Sequence, residues 1–280
     1  MLSTRILTAV IALVVVLGAL FLLPLQLFAI VVLAIMAAAA HEWTHLAALS
    51  GAARIVFVLA VVAAGLALIF WPAAGFARGW PSGVVLAVCG AATLFWLLVA
   101  TPWVVLRWPT RSPLLLFVCG LIVLVAAFVA LVELEARSPW LVLAAMAIVW
   151  IADTAAYFSG RAFGRRKLAP HVSPGKTWEG VYGALAAVGV YALAVSPLAR
   201  SAGYSGSLGA GVVASWLVVA VAVAALSVVG DLFESWQKRQ AGVKDSGKLL
   251  PGHGGVLDRI DALLAAMPAL AVGAVLALQK

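Results

Sequence analysis

ILTAVIALVVVLGALFLLPLQLFAIVVLAIMAAAA, residues 6–40, carries no charged side chain and a single proline, Pro24. A hydrocarbon core about 30 Å thick takes about 20 apolar residues per helical crossing, so this stretch predicts two transmembrane helices with a tight break at Pro24. Arg5 ahead of the first run imitates a signal peptide, yet no small-residue cleavage site follows and a second span starts at once, so an uncleaved first helix is expected. The pattern repeats along the chain. Nine spans are expected, near Ile6–Leu23, Leu25–Ala40, Ile55–Trp71, Val84–Leu106, Leu114–Val132, Trp140–Ser159, Val181–Val195, Gly209–Val229 and Ala262–Leu278. Over all 280 residues, 66% are hydrophobic and only 10% charged, where a soluble domain carries about 25% charged residues. Period-two alternation of the barrel type is absent. The fold class is therefore an all-α polytopic integral membrane protein.

The net charge of +8 is unevenly spread. Nine spans put the N-terminus and the even-numbered loops on one side, with Arg5, Arg54, Arg107, Arg111, Arg161, Arg165, Arg166, Lys167, Lys176, Lys238, Arg239, Lys244, Lys248 and Arg259. The other side has Arg78, Arg137, Arg200 and Lys280. Fourteen cations against four predict a cytoplasmic N-terminus and cytoplasmic polar loops. The basic residues sit at membrane ends rather than on a soluble face, which argues against a nucleic-acid reader and for contact with anionic membrane lipid. Trp71, Trp80, Trp108 and Trp140 read as interfacial anchors, and Cys89 and Cys119 as buried, inert thiols. Three regions follow: a two-helix segment over 1–53, a scaffold or dimer surface over 54–140, and a C-terminal catalytic domain over 141–280.

Polar residues concentrate in two cytoplasmic loops. In DTAAYFSGRAFGRRKL, Asp153 lies in a span, where a carboxylate costs roughly 2.5–3.5 kcal/mol and so is paired or lines a polar cavity. Tyr157 and Arg161 share its helical face. HVSPGKTWEG, 171–180, ends like a nucleoside-triphosphate loop, but Pro170 replaces its first glycine and no strand is expected before it. Ser173, Lys176 and Thr177 can still hold phosphate at a helix start. HEWTH, 41–45, satisfies the pattern of a zinc hydrolase but lacks an evident third ligand.

SWQKRQAGVKDSGKLLPGHGGVLDRID, residues 235–261, is the longest polar stretch. Lys238, Arg239, Lys244, Lys248 and Arg259 crowd with Asp245, Asp258 and Asp261 around Gly252-His253-Gly254-Gly255, a composition suited to a polyphosphate and its metal ions. Asp231 closes the preceding span and Asp258 opens the next, with Asp261 on the same face.

Ser235, Lys238-Arg239, Lys244-Asp245, Gly247, Pro251, His253-Gly254-Gly255 and Asp258-Arg259-x-Asp261 resemble the C-terminal signature of the phosphatidate cytidylyltransferase (CDP-diacylglycerol synthase) family. Gln237 departs from it, standing where that family carries an apolar residue. The segment from Asp153 to Gly180 resembles the family's preceding cytoplasmic loop, and Glu42-Trp43 a pair near its second span; His41 and His45 do not belong to the pattern. The resemblance implies CTP and phosphatidic acid as substrates, Mg²⁺ as cofactor with a second cation left open, a bacterial inner membrane and a homodimer. It implies catalytic roles for Asp231, Asp258, Lys238, Arg239, Lys244 and Asp245. Substrate contacts are expected from Asp153, Tyr157, Ser173, Lys176, Thr177, Ser235, His253, Gly254, Gly255 and Arg259. Metal is expected on Asp231, Asp258 and Asp261. The alternatives are a related CTP-dependent transferase acting on another lipid or isoprenoid phosphate, a transporter centred on Asp153, and a HExxH intramembrane protease.

Overall fold

The computed structural model describes residues 2–109, 112–196 and 209–277. Helices α1 (Leu2–Leu22), α2 (Leu25–Leu46) and α3 (Gly51–Phe70) open the chain, followed by α4 (Ser82–Phe95), a π-helical turn (Trp96–Ala100) and α5 (Thr101–Leu106) as one continuous crossing. Then come α6 (Pro113–Arg137), α7 (Pro139–Phe163), strands β1 (Lys167–Ala169) and β2 (Ser173–Thr177), α8 (Trp178–Val195), α9 (Ala210–Gln240) and α10 (Leu257–Ala277). Among the described residues, eight helical segments are long and apolar enough to cross a bilayer, and α1 adds a shorter apolar run, Ile6–Leu22. The chain is an integral membrane protein. Every expected span has its helix, although several run further than hydropathy indicates. The largest difference is at α9, which continues past Val229 to Gln240, so Asp231 sits inside a helix and does not end one.

The antiparallel β1–β2 pair, Lys167 opposite Thr177 and Ala169 opposite Ser173, was not expected from a helical reading. Pro170 and Pro174 exclude helix there, and two short strands joined by a turn satisfy the backbone instead. A strand therefore does precede Gly175-Lys176-Thr177, but as a hairpin arm and without the glycine-rich turn of a nucleotide loop.

Prolines inside or beside helices leave carbonyls without their i+4 donor, which in lipid must be satisfied from elsewhere. Tryptophans supply the donors. Pro268 lies within α10, and the Trp96 indole N–H donates to the orphaned Leu264 carbonyl at 3.1 Å. Pro72 ends α3, and the Trp80 indole donates to the Leu68 carbonyl at 2.9 Å. Trp80 is thus fully buried, not an interfacial anchor. Cys89 and Cys119 are buried free thiols, as expected. Trp96→Phe keeps the ring and removes only the N–H. It is expected to cost about 1–3 kcal/mol, the penalty of an unsatisfied buried acceptor, seen as a lower unfolding midpoint in detergent.

Residues 54–140 pack into the same core as the C-terminal helices, with α4 and α6 both against α10. The π turn follows from Pro102, which cannot donate to Leu98 and so loosens the ladder before it. Far from the polar loops, Arg137 is buried against Glu133 at 3.0 Å, and Glu133 also accepts the Trp80 backbone N–H at 2.9 Å. Arg137 is therefore not a free charge at the membrane surface. Arg111, Arg200, Lys280 and the Arg5 side chain lie outside the described residues.

Candidate functional site

One end of the bundle gathers the polar residues, and aromatic packing sets its scaffold. Phe233 of α9 is enclosed by Trp43, Phe95, Trp96 and Trp103, with ring centroids 6.4, 6.1, 5.4 and 5.6 Å away. This fixes the rotation of α9, so that Asp231, Glu234, Ser235 and Lys238, three to four residues apart, share one stripe. At Gly230 the α9 backbone meets α10: a Cβ there would lie 2.6 Å from the Asp261 carbonyl oxygen and 3.0 Å from the Ala265 Cβ. Only glycine permits that approach, and it brings Asp231 beside Asp261.

Four elements meet around these carboxylates. The Lys176 ammonium of β2 pairs with Asp231 at 2.6 Å, and the Ser235 hydroxyl donates to the same carboxylate at 3.2 Å. Asp153, exposed on α7, lies within electrostatic reach of Asp231 and Lys176, and Asp261 within reach of Asp231, Lys176 and Lys238. Lys238 bridges buried Glu234 to Asp258, the latter at 2.8 Å. Asp258 also accepts backbone N–H groups from Ser246 at 3.0 Å and Gly255 at 2.8 Å. Five carboxylates and two ammonium groups thus form one network.

The structure brings together Asp153, Lys176, Asp231, Ser235, Lys238, Asp258 and Asp261. Beside them, Lys244, Asp245, Lys248, His253, Gly254 and Arg259 line a polar cavity of about 540 Å³. A larger cavity of about 640 Å³ lies toward the opposite membrane end, around Trp140, Tyr191 and Trp216, and has no charged residue in its wall.

Other expected site residues are differently employed. Thr177 is buried as the N-cap of α8, its hydroxyl accepting the Gly180 N–H at 3.2 Å, so it is closed to a ligand. Gly255 is buried against Glu42 and Ser246, and of the two expected glycines only Gly254 lies on the cavity wall, with Gly247 and Gly252 beside it. Arg239 braces the hairpin turn and its own loop by donating to the Val172 and Val243 carbonyls, each at 3.3 Å. Tyr157 accepts from Arg161 at 3.3 Å on an exposed face of α7. Ser173 is half-buried on β2, three residues before Lys176. His41 and His45 are exposed and touch edge to face at 5.3 Å, while the intervening Glu42 is buried inward. HEWTH therefore does not converge on a metal.

Two participants were given no role in the site from the sequence, Glu234 and Glu42, although Glu42-Trp43 belongs to the resemblance. Glu234 sits four residues before Lys238, a helical ion-pair spacing that marks it in retrospect. Glu42 had a clearer mark: a carboxylate in the last turns of an apolar span has to find donors.

Among the described residues, no three His, Cys, Asp or Glu side chains converge closely enough to hold a metal ion by themselves. Mg²⁺ commonly takes only one or two carboxylates and completes its shell with phosphate oxygens and water. Asp231 and Asp261, hard anionic donors held side by side and offset by lysine ammonium groups, fit that demand. Asp258 fits less directly, because Lys238 and two backbone donors already engage it.

The sequence profile of the cytidylyltransferase family matches residues 3–276. The chain belongs to the cytidylyltransferase family. It is 45% identical over 273 residues to phosphatidate cytidylyltransferase of Pseudomonas aeruginosa, covering 97% of this chain and 96% of that one. Proteins of the same name from Haemophilus influenzae and Thermotoga maritima are 52% and 42% identical, each over 128 residues. Those stretches span 46% and 45% of this chain, and 43% and 46% of the relatives. The polar end of the bundle thus sets a cavity lined by Lys244, Lys248 and Arg259 beside a cluster of carboxylates.

Proposed function

We propose that this chain transfers the cytidylyl group of CTP to phosphatidic acid, forming CDP-diacylglycerol and pyrophosphate. The observation that carries the reading is the end-to-end similarity to a phosphatidate cytidylyltransferase. The geometry supports it, because anion-binding and cation-binding groups meet at one end of a membrane bundle, where a lipid phosphate and a soluble nucleotide can both arrive.

In the reaction, an oxygen of the lipid phosphate attacks the α-phosphorus of CTP, and the bond from that phosphorus to the bridging oxygen of the pyrophosphate breaks. The attacking monoester is already anionic, so no side chain needs to remove a proton. Lys244, Lys248 and Arg259 take up the triphosphate in the cavity, and the Lys238 and Lys176 ammonium groups neutralise charge nearest the transferring phosphorus. Ser235 fixes the Asp231 carboxylate, and the buried Glu234–Lys238–Asp258 bridge fixes Lys238. Mg²⁺, when bound, neutralises the triphosphate and the departing pyrophosphate. Asp231 and Asp261 would hold it, whereas Asp258 fits less directly because Lys238 and two backbone N–H groups already engage it.

The site lies on the cytoplasmic side of the bacterial inner membrane. Crossings alternate so that the even-numbered loops share one end, as the Trp236 indole to Trp108 carbonyl bond at 3.1 Å and the Arg239–Val172 bond illustrate. That end carries the cationic excess. Reporter fusions near Gly242 and at the C-terminus are expected to report cytoplasm and periplasm respectively; the same compartment for both would refute the nine-crossing arrangement.

The substrate assignment is tested by offering the purified protein CTP with either phosphatidic acid or a polyprenyl phosphate in detergent micelles. Pyrophosphate release with phosphatidic acid alone is expected. Preferential release with the polyprenyl phosphate would move the chain to another acceptor within the family.

A further inference from the structure

We propose that Glu42, the central acid of HEWTH, is a positioning residue that holds the nucleotide loop in its binding conformation. Its side chain is only 2% exposed, near the end of α2. One carboxylate oxygen accepts the Val256 N–H at 3.0 Å; the other accepts the Leu257 N–H at 2.7 Å and the Ser246 hydroxyl at 3.1 Å. Val256 immediately precedes α10 and Leu257 is its first residue, so Glu42 serves two amides at the helix entry that lack intrahelical partners and places its charge at the positive end of that helix. A residue more than 200 positions upstream thereby caps the helix that carries Asp258 and Asp261.

Both ends of the loop close on this one carboxylate. A Cβ at Gly247 or at Gly255 would overlap the Glu42 carboxyl group, so each glycine is needed for the loop to approach it. Ser246 is the link to the reacting groups: its hydroxyl donates to Glu42, while its backbone N–H donates to Asp258, which pairs with Lys238. The chain from Glu42 through Ser246 and Asp258 to Lys238 is therefore continuous. Between the two anchored ends run Lys248, Leu250, Pro251, Gly252, His253 and Gly254, which form much of the polar cavity. Helix α10 is also held along its length by α4, α6 and α9, so losing Glu42 releases the loop more than it unfolds the bundle.

The inference rests on reading the chain as a cytidylyltransferase, and CTP binding without turnover separates the two. In Glu42→Gln the shape stays, but an NH₂ replaces one acceptor and the charge is gone. Equilibrium binding of CTP to the full-length protein in detergent is expected to weaken at least about tenfold. The KM for phosphatidic acid should stay within about twofold and the unfolding midpoint within a few degrees. Ser246→Ala removes one of the three donors and keeps the backbone link to Asp258. It should shift CTP affinity in the same direction by a smaller factor, and it carries the test if the Gln variant does not accumulate. His41→Ala, on the exposed face, should leave CTP binding unchanged. Equal losses of affinity for CTP and phosphatidic acid, or unaltered CTP binding in both the Glu42 and the Ser246 variants, would overturn the proposal. Absence of CTP binding by the unsubstituted protein would instead overturn the reading on which it rests.

Discussion

Asp231→Asn and Asp258→Asn are each expected to lower turnover at least about a hundredfold, equivalent to roughly 2.7 kcal/mol of transition-state stabilisation. Both substitutions keep shape and remove charge, but they act on different parts of the network. Asp231 is the carboxylate that Lys176 and Ser235 hold at 2.6 and 3.2 Å and that Gly230 places beside Asp261. Its loss weakens the hard anionic pair proposed for Mg²⁺. Raised Mg²⁺ should therefore restore part of the Asp231→Asn activity. Asp258 anchors Lys238 and two loop amides, so Asp258→Asn should respond far less to added metal and should also weaken CTP binding. The double variant should be little worse than either single one, because groups acting as a unit are not additive. Near-normal turnover in either well-folded single variant would remove that carboxylate from the reaction.

Lys238→Met should be the most damaging single change to the fold of the site. The Lys238 ammonium lies between Glu234 and Asp258, and Glu234 is only 2% exposed. Removing one partner of a buried ion pair strands the other, at a cost typically of about 3–5 kcal/mol. A sharply lower unfolding midpoint and no measurable turnover are expected. Adding Glu234→Gln should recover much of the stability, since the stranded charge is gone, yet restore no turnover. The comparison is Lys176→Met: its pair with Asp231 is partly open, so turnover should fall while the midpoint moves little. If Lys238→Met unfolds no earlier than Lys176→Met, the buried bridge does not hold the site as described.

Hydropathy alone located the eight helical segments long and apolar enough to cross a bilayer and the shorter apolar run of α1, because in lipid the requirement for an unbroken apolar helix leaves a strong and local signal. It failed at helix ends that carry charge. The turn from Ser235 to Arg239 is helical because Lys238 is neutralised by Glu234 and Asp258 and Phe233 is locked among tryptophans, facts that no window average contains. The hairpin at 167–177 was not foreseen, because strands of three and five residues are too short to leave a readable period-two pattern. Within the site, Asp231, Asp258, Lys238 and the glycine-rich loop stood out by composition and resemblance. Thr177, Gly255 and Arg239 were drawn to the same site, and what their hydrogen bonds and packing add is a part in the scaffold that the sequence did not reveal. Glu42 was hidden by its histidine neighbours: the HEWTH pattern points to zinc, whereas burial turns its acid toward a loop more than 200 residues away.

This bundle end is expected to move a cytidylyl group from CTP to a lipid phosphate. Parallel reactions with CTP labelled at the α- or the γ-phosphorus, phosphatidic acid and Mg²⁺ test it most directly. The α label should pass into the organic-extractable lipid and the γ label into aqueous pyrophosphate, in equal amounts and at equal rates. Transfer of the γ label to lipid, or release of γ label as orthophosphate with no α label in lipid, would show a kinase or a hydrolase and contradict the account.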